Sequence, residues 1–231
     1  MLQIKVSYLT SAQLDQVVAE LLRNYGKWRG APVRPPINVD EIAEGYLGLT
    51  LELTDLRQLL GIDDVLGATW FDERQLRVDE SLEGKEGRFA FTVAHEIAHW
   101  QLHRPLYEME KVTLALFPSQ PGAKPAAAIV CRAKNRKSPA EWQADQFAAR
   151  LLMPASHVRD AVQSVSGNIP AAWAGLDASR KAGILDSRLR SFAGDVIGAG
   201  DFSNVSNEAM CYRLLDLKLV SDQAHLQAGL F

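Results

Sequence analysis

The chain has 231 residues, 47% of them apolar, and a formal net charge of -3. That is enough apolar mass for a full core, expected as one compact domain with a smaller appendage, and the near-neutral balance excludes a global pull toward nucleic acid or anionic membrane. Two cysteines, Cys131 and Cys211, exclude a disulfide scaffold or a four-cysteine zinc module. The opening stretch MLQIKVSYLT lacks the marks of a secretory leader and no apolar run reaches membrane length, so a cytoplasmic protein without membrane contact is expected.

Residues 2–9 alternate enough for a short strand. Thr10 or Ser11 then caps a helix to about Tyr25, with Leu14, Val17/Val18 and Leu21/Leu22 on one face. Residues 27–36 form a Gly/Pro-rich connector carrying Trp28, and Asn38 with Glu41 three positions on starts a short helix that Gly45 or Gly48 stops. Extended segments follow at 49–53, 67–71 and 75–79, the last two joined by the polar turn Asp72-Glu73-Arg74. They suggest a small sheet backing the helix that comes next, and an edge strand of such a sheet can bind an extended peptide by strand addition.

That helix, FAFTVAHEIAHWQLH over residues 89–103, is the centre of the sequence. Its apolar spacing predicts a start near Lys85 or Glu86 and an end at Arg104-Pro105, where proline cannot comfortably continue it. Helical geometry puts His95 and His99 one turn apart on one face, where two neutral imidazoles can share a Zn²⁺, with Glu96 beside them as a general base. The alternative is an accidental three-position match, but burying two histidines and a glutamate without partners would be costly. Residues 106–137 lack clear periodicity and read as a long functional or irregular connector, with a short strand at 128–131. Its basic run Arg132, Lys134, Arg136 and Lys137 reads as a solvated loop, with a substrate- or partner-facing rim as the alternative.

Ser138-Pro139 opens a second strong helix, AEWQADQFAARLLMP, closed by Pro154, with Ala140, Ala144, Phe147/Ala148 and Leu151/Leu152 as its apolar stripe. Everything after Pro154 reads as helical: 155–165, 171–197 and 206–219. The organisation expected is therefore a catalytic-type domain over 1–154 and an all-helical segment over 155–231.

A catalytic zinc needs a third protein ligand. His103 continues the register of the other histidines but would lie about 12 Å along the axis from His95, too far to share the ion. Core packing or a hydrogen bond at the helix end suits it better. Glu141 and Asp145, at i and i+4 on the second helix, face the same way; Glu141 can bind the metal and Asp145 can accept the Nδ1 proton of a ligand histidine. Ser138-Pro139-Ala140-Glu141 also reads as a capping box, which would give Glu141 a local role instead. With HExxH upstream the ligand role is preferred. Cys131 reads as a small buried hydrophobe rather than a fourth ligand.

FTVAHEIAHWQLH followed by EWQADQFAARLLMP closely resembles the two signature stretches of the ImmA/IrrE family of zinc-dependent peptidase-like proteins, and the upstream order of elements is similar over about residues 10–154. The resemblance implies an α+β, zincin-like (mini-gluzincin) fold, with helices on a small, roughly three-stranded sheet. It further implies one Zn²⁺ per chain held by His95, His99 and Glu141, Glu96 as general base, and Asp145 supporting a ligand. Members of this kind cleave, or are proposed to cleave, helix-turn-helix (Xre-like) repressors, and others pair with such partners in toxin–antitoxin-like modules. The C-terminal stretch 201–217 is similar to a helix-turn-helix segment that follows the signature in the family. Glu208, Asp216 and Asp222 interrupt any basic character there, so a structural or partner-binding role is preferred over DNA contact.

The function expected is a zinc endopeptidase of narrow specificity acting on a repressor or other regulatory protein. The alternative is a non-proteolytic transcriptional regulator or toxin–antitoxin-type binding module that uses the same core as a scaffold. Intact Glu96 favours chemistry, because a scaffold has no use for the base. His103, Tyr107 and His157 are candidates to stabilise an oxyanion or touch substrate, and the sequence does not choose among them.

Overall fold

The computed structural model describes residues 6–116, 129–132, 138–167 and 171–222. Its contacts divide the chain into two compact units, Met1–Val33 with Asn38–Leu151, and Arg34–Ile37 with Leu152–Phe231. Residues 34–37 thus go with the C-terminal unit.

In the first unit α1 (Ser11–Arg29) starts with a capping box: the Thr10 hydroxyl accepts the Gln13 N–H, and the Gln13 carboxamide oxygen accepts the Thr10 N–H at 2.9 Å. Leu14, Val18, Leu21 and Tyr25 form its buried stripe. The helix runs a turn beyond the expected end, to Gly30, whose positive φ of 73° terminates it. Trp28 therefore belongs to the helix rather than to a connector, and stacks on Tyr25 with ring centroids 6.0 Å apart. Of the strand expected over 2–9, residues 1–5 lie outside the described residues and 6–9 are not a strand. Asn38 Oδ1 accepts the Glu41 N–H as expected, but the segment it opens, Glu41–Tyr46, winds as a π-helix.

Four strands form one sheet: β1 (Thr50–Thr54), β2 (Val65–Trp70), β3 (Gln75–Asp79) and β4 (Ile129–Arg132), in the order β1-β3-β2-β4. β2 and β3 make an antiparallel hairpin whose turn ends at Arg74 (φ 55°), β1 lies parallel to β3 beyond the short α2 (Leu56–Leu60), and β4 pairs antiparallel with β2. The α+β class is as expected; the sheet gains a fourth strand because the segment predicted at 128–131 joins it instead of lying in a loop. Leu76 and Val78 alternate into the core from β3, and Val65, Ala68 and Thr69 are buried from β2.

α3 (Glu86–Ala98) begins where expected, and every residue from Thr92 to Ala98 is buried. It does not end at Pro105. The backbone widens into a π-turn over His99–His103, with the Arg104 N–H bonded to the His99 carbonyl, and continues as α4 (Arg104–Leu116). The wider turn places Pro105 in the first turn of a new helix, where its missing N–H costs little. The expected connector thus opens as helix; residues 117–128, and Lys134, Arg136 and Lys137 of the basic run, lie outside the described residues. α5 (Pro139–Leu152) matches its expected bounds and buries Ala144, Phe147, Ala148 and Leu151.

The second unit contains α6 (Ala155–Ser166), β5 (Ala171–Trp173), α7 (Leu176–Lys181), α8 (Ser187–Ala199), α9 (Asn207–Asp216) and β6 (Val220–Asp222). It is not all-helical, because β5 and β6 pair in parallel, and the long helix expected over 171–197 is broken by Gly175 and Gly183, both at positive φ. α8 packs on α6 and α9 around Phe192, Val196, Phe202 and Leu214. Gly200 is needed there: a Cβ on it would come within 2.3 Å of the Phe202 ring. Among the described residues no helix is long and apolar enough to cross a membrane.

Candidate metal centre

α3 and its π-turn present His95 and His99 on one face, and α5 brings Glu141 to them. The two Nε2 atoms stand 3.0 Å apart, Glu141 Oε2 lies 3.2 Å from His95 Nε2, and Glu141 Oε1 lies 3.3 Å from His99 Nε2. Ser138 Oγ accepts the Glu141 N–H at 3.3 Å, so the backbone of Glu141 is capped while its carboxylate turns to the histidines. The cap and the approach to the histidines thus use different atoms of Glu141 and do not compete.

Each imidazole is fixed from behind. His95 Nδ1 stands 3.0 Å from Asp145 Oδ1, where its proton is donated to the carboxylate and its Nε2 is left as the acceptor. His99 Nδ1 is 2.8 Å from His103 Nδ1, and His103 Nε2 is 3.1 Å from Gln143 Oε1. Burial pushes His99 down to about 4 and His103 also downward, so both rings are neutral at neutral pH.

The three donor atoms fit a divalent cation. Tetrahedral coordination at Zn–N and Zn–O distances near 2.0–2.1 Å separates neighbouring ligand atoms by about 3.3 Å; the two imidazole nitrogens are that close to each other, and each is that close to a different oxygen of the Glu141 carboxylate, Oε2 for His95 and Oε1 for His99. Two imidazole lone pairs and a carboxylate converging at that distance repel one another unless positive charge lies among them. Among the described residues, His95, His99 and Glu141 are a group whose ligand atoms, all within 4.8 Å of one another, could hold a metal ion.

Glu96 is fully buried on the strand side of α3. Thr69 of β2 donates its hydroxyl to Glu96 Oε2 at 2.6 Å, and Glu96 Oε1 is buried without a hydrogen-bond partner. Burial pushes its carboxyl up to about 8, against the pull of His95 and of the Thr69 hydrogen bond. Gly67 supplies the room: a Cβ there would stand 2.6 Å from Glu96 Oε1. Thr69, Gly67 and Gln143 were not singled out from the sequence. The signals for Thr69 and Gln143 were a lone polar residue in the apolar run VLGATW and a glutamine between the apolar stripe positions Ala140 and Ala144.

The remaining candidates are placed differently. His103 is fully buried with both ring nitrogens engaged, which removes it from oxyanion or substrate contact. Tyr107 is also buried and donates its hydroxyl to Asp72 Oδ2 at 2.9 Å, a tether between α4 and the β2–β3 turn; burial and Asp72 push it up to about 12. His157 belongs to α6 in the second unit, its Nδ1 3.4 Å from Ser156 Oγ.

No protein-family model matches the chain, and no curated protein matches it.

Proposed function

We propose that the chain is a zinc-dependent endopeptidase of the zincin type, with a regulatory protein of the helix-turn-helix repressor kind as its substrate. The observation that carries the reading is the convergence of His95 Nε2, His99 Nε2 and the Glu141 carboxylate, whose Oε2 faces His95 and Oε1 faces His99, with Glu96 next to His95 in the chain. The substrate class comes from the likeness of residues 91–103 and 141–154 to the ImmA/IrrE signatures, and so does the zincin-like arrangement of the core.

A bound zinc supplies Lewis acidity, polarising a carbonyl and acidifying water. The protein's residues supply the rest. Burial keeps His99 neutral and thus a ligand, and Asp145 holds the ring of His95 in the tautomer that leaves Nε2 as a donor to the metal. Glu96 takes a proton from the attacking water and hands it to the leaving amine; Thr69 binds one carboxyl oxygen, which leaves Oε1 for the proton. Identification of the oxyanion donor narrows, since His103 is fully engaged.

The test is co-expression with helix-turn-helix repressors encoded beside the gene, followed by mass spectrometry of the repressor. Cleavage by the zinc-loaded wild type, and a loss of at least about 10²-fold in Glu96→Gln at equal zinc content, is the expected result. If Glu96→Gln relieves repression as well as the wild type and the repressor stays intact, the core acts as a binding scaffold and the peptidase reading is overturned.

A further inference from the structure

The second ligand histidine is backed by a chain of hydrogen bonds that ends on a backbone carbonyl. His99 Nδ1 lies 2.8 Å from His103 Nδ1, His103 Nε2 lies 3.1 Å from Gln143 Oε1, and Gln143 Nε2 donates to the Ser7 carbonyl at 2.6 Å. His99, His103 and Gln143 are all buried. We infer that His103 and Gln143 are positioning residues that set the tautomer of His99, and with it the strength of the metal site; this inference rests on the metal-centre reading above.

The direction of the relay follows from its far end. A carbonyl only accepts, so Gln143 turns its amide nitrogen to Ser7 and its oxygen to His103. An amide oxygen also only accepts, so His103 carries its proton on Nε2. A buried imidazole is neutral and has one ring proton, which leaves His103 Nδ1 as an acceptor facing His99. His99 therefore donates from Nδ1, and its Nε2 lone pair faces His95 Nε2 and Glu141. Reversing any member would set the Gln143 carbonyl against the Ser7 carbonyl at 2.6 Å. The two ligand histidines are thus oriented by different means, His95 by the carboxylate of Asp145 and His99 by a neutral relay that runs from the π-turn through α5 to the segment ahead of α1.

The test has two readouts, neither of them enzymatic. In the metal-free wild type, long-range ¹⁵N–¹H correlation of the histidine rings should find the proton of His99 on Nδ1 and that of His103 on Nε2. In Zn²⁺ titrations against a chromogenic chelator, His103→Phe, which keeps ring bulk but offers no acceptor, and Gln143→Leu should bind about 10–100-fold more weakly than wild type. His103→Gln, which restores an acceptor oxygen, should recover part of that loss. A His99 proton on Nε2, or wild-type Zn²⁺ affinity in both His103→Phe and Gln143→Leu, overturns the relay and leaves the metal site standing. A wild type that takes up no Zn²⁺ overturns the metal-centre reading, and the relay falls with it.

Discussion

Gly67 of β2 lies directly against α3, facing the residue proposed as base. A methyl group there would lie 2.6 Å from Glu96 Oε1 and 2.7 Å from Thr92 Cγ2, both on the buried face of α3. Neither neighbour can retreat into solvent, so overpacking is the outcome. Gly67→Ala should cost about 1–3 kcal/mol in denaturant unfolding and depress any peptidase activity further than stability alone accounts for, while zinc content stays at the wild-type level. Unchanged activity in a folded Gly67→Ala would show that the position of Glu96 is not set by β2. The same residue shows what a sequence hides. HExxH names Glu96, but the atoms that hold its carboxyl come from a strand 27 positions upstream at Thr69, and no local pattern links the two.

At the scale of elements, most helix starts were legible because capping is local: Thr10, Asn38 and Ser138 each accept the N–H three residues on. Helix α5 was legible from end to end, with proline at both boundaries and an apolar stripe between them. The end of α3 was not, since a π-turn leaves no mark in the sequence and lets the chain pass Pro105. What fastens the continuation is tertiary. Trp100 packs under the guanidinium groups of Arg104 at 4.4 Å and Arg74 at 5.2 Å, and Asp72 receives both the Tyr107 hydroxyl and the Lys111 ammonium. The Lys111 ammonium holds the Asp72 carboxyl below its usual range; burial opposes this and Tyr107 adds to it. A carboxyl with a lowered folded pKa binds fewer protons than it does unfolded, so its stabilising contribution is present above the unfolded value near 3.9 and is lost as pH falls through the folded one. Asp72→Asn should therefore show a shallower fall in stability below about pH 4 than the wild type in acid titrations followed by circular dichroism. An identical acid limb in the two proteins would rule out this tether as a contributor.

At the scale of the molecule, the first unit assembles its site from segments far apart in the chain: β2, the long α3–α4 helix, α5 and the stretch ahead of α1. The α+β class and the helices carrying His95, His99 and Glu141 could be read in advance because their periodicity is strong; β4 could be read as a strand but not its place in the sheet, and β5 and β6 could not be read, because the pairing of such short strands depends on distant partners. The second unit was harder for the same reason, and its glycine breaks at Gly175 and Gly183 divide what composition alone presents as one helix. If His95, His99 and Glu141 hold a metal ion that the unfolded chain does not, binding adds to stability by mass action. Zinc at 100 times its dissociation constant should add about 2.7 kcal/mol, and a chelator should lower the unfolding temperature of wild type but leave Glu141→Ala unmoved. The most direct measurement is elemental analysis of wild type and Glu141→Ala purified side by side. The account predicts near one zinc per chain in the wild type and a clear loss in the variant; metal-free wild type, or full occupancy in Glu141→Ala, would contradict it.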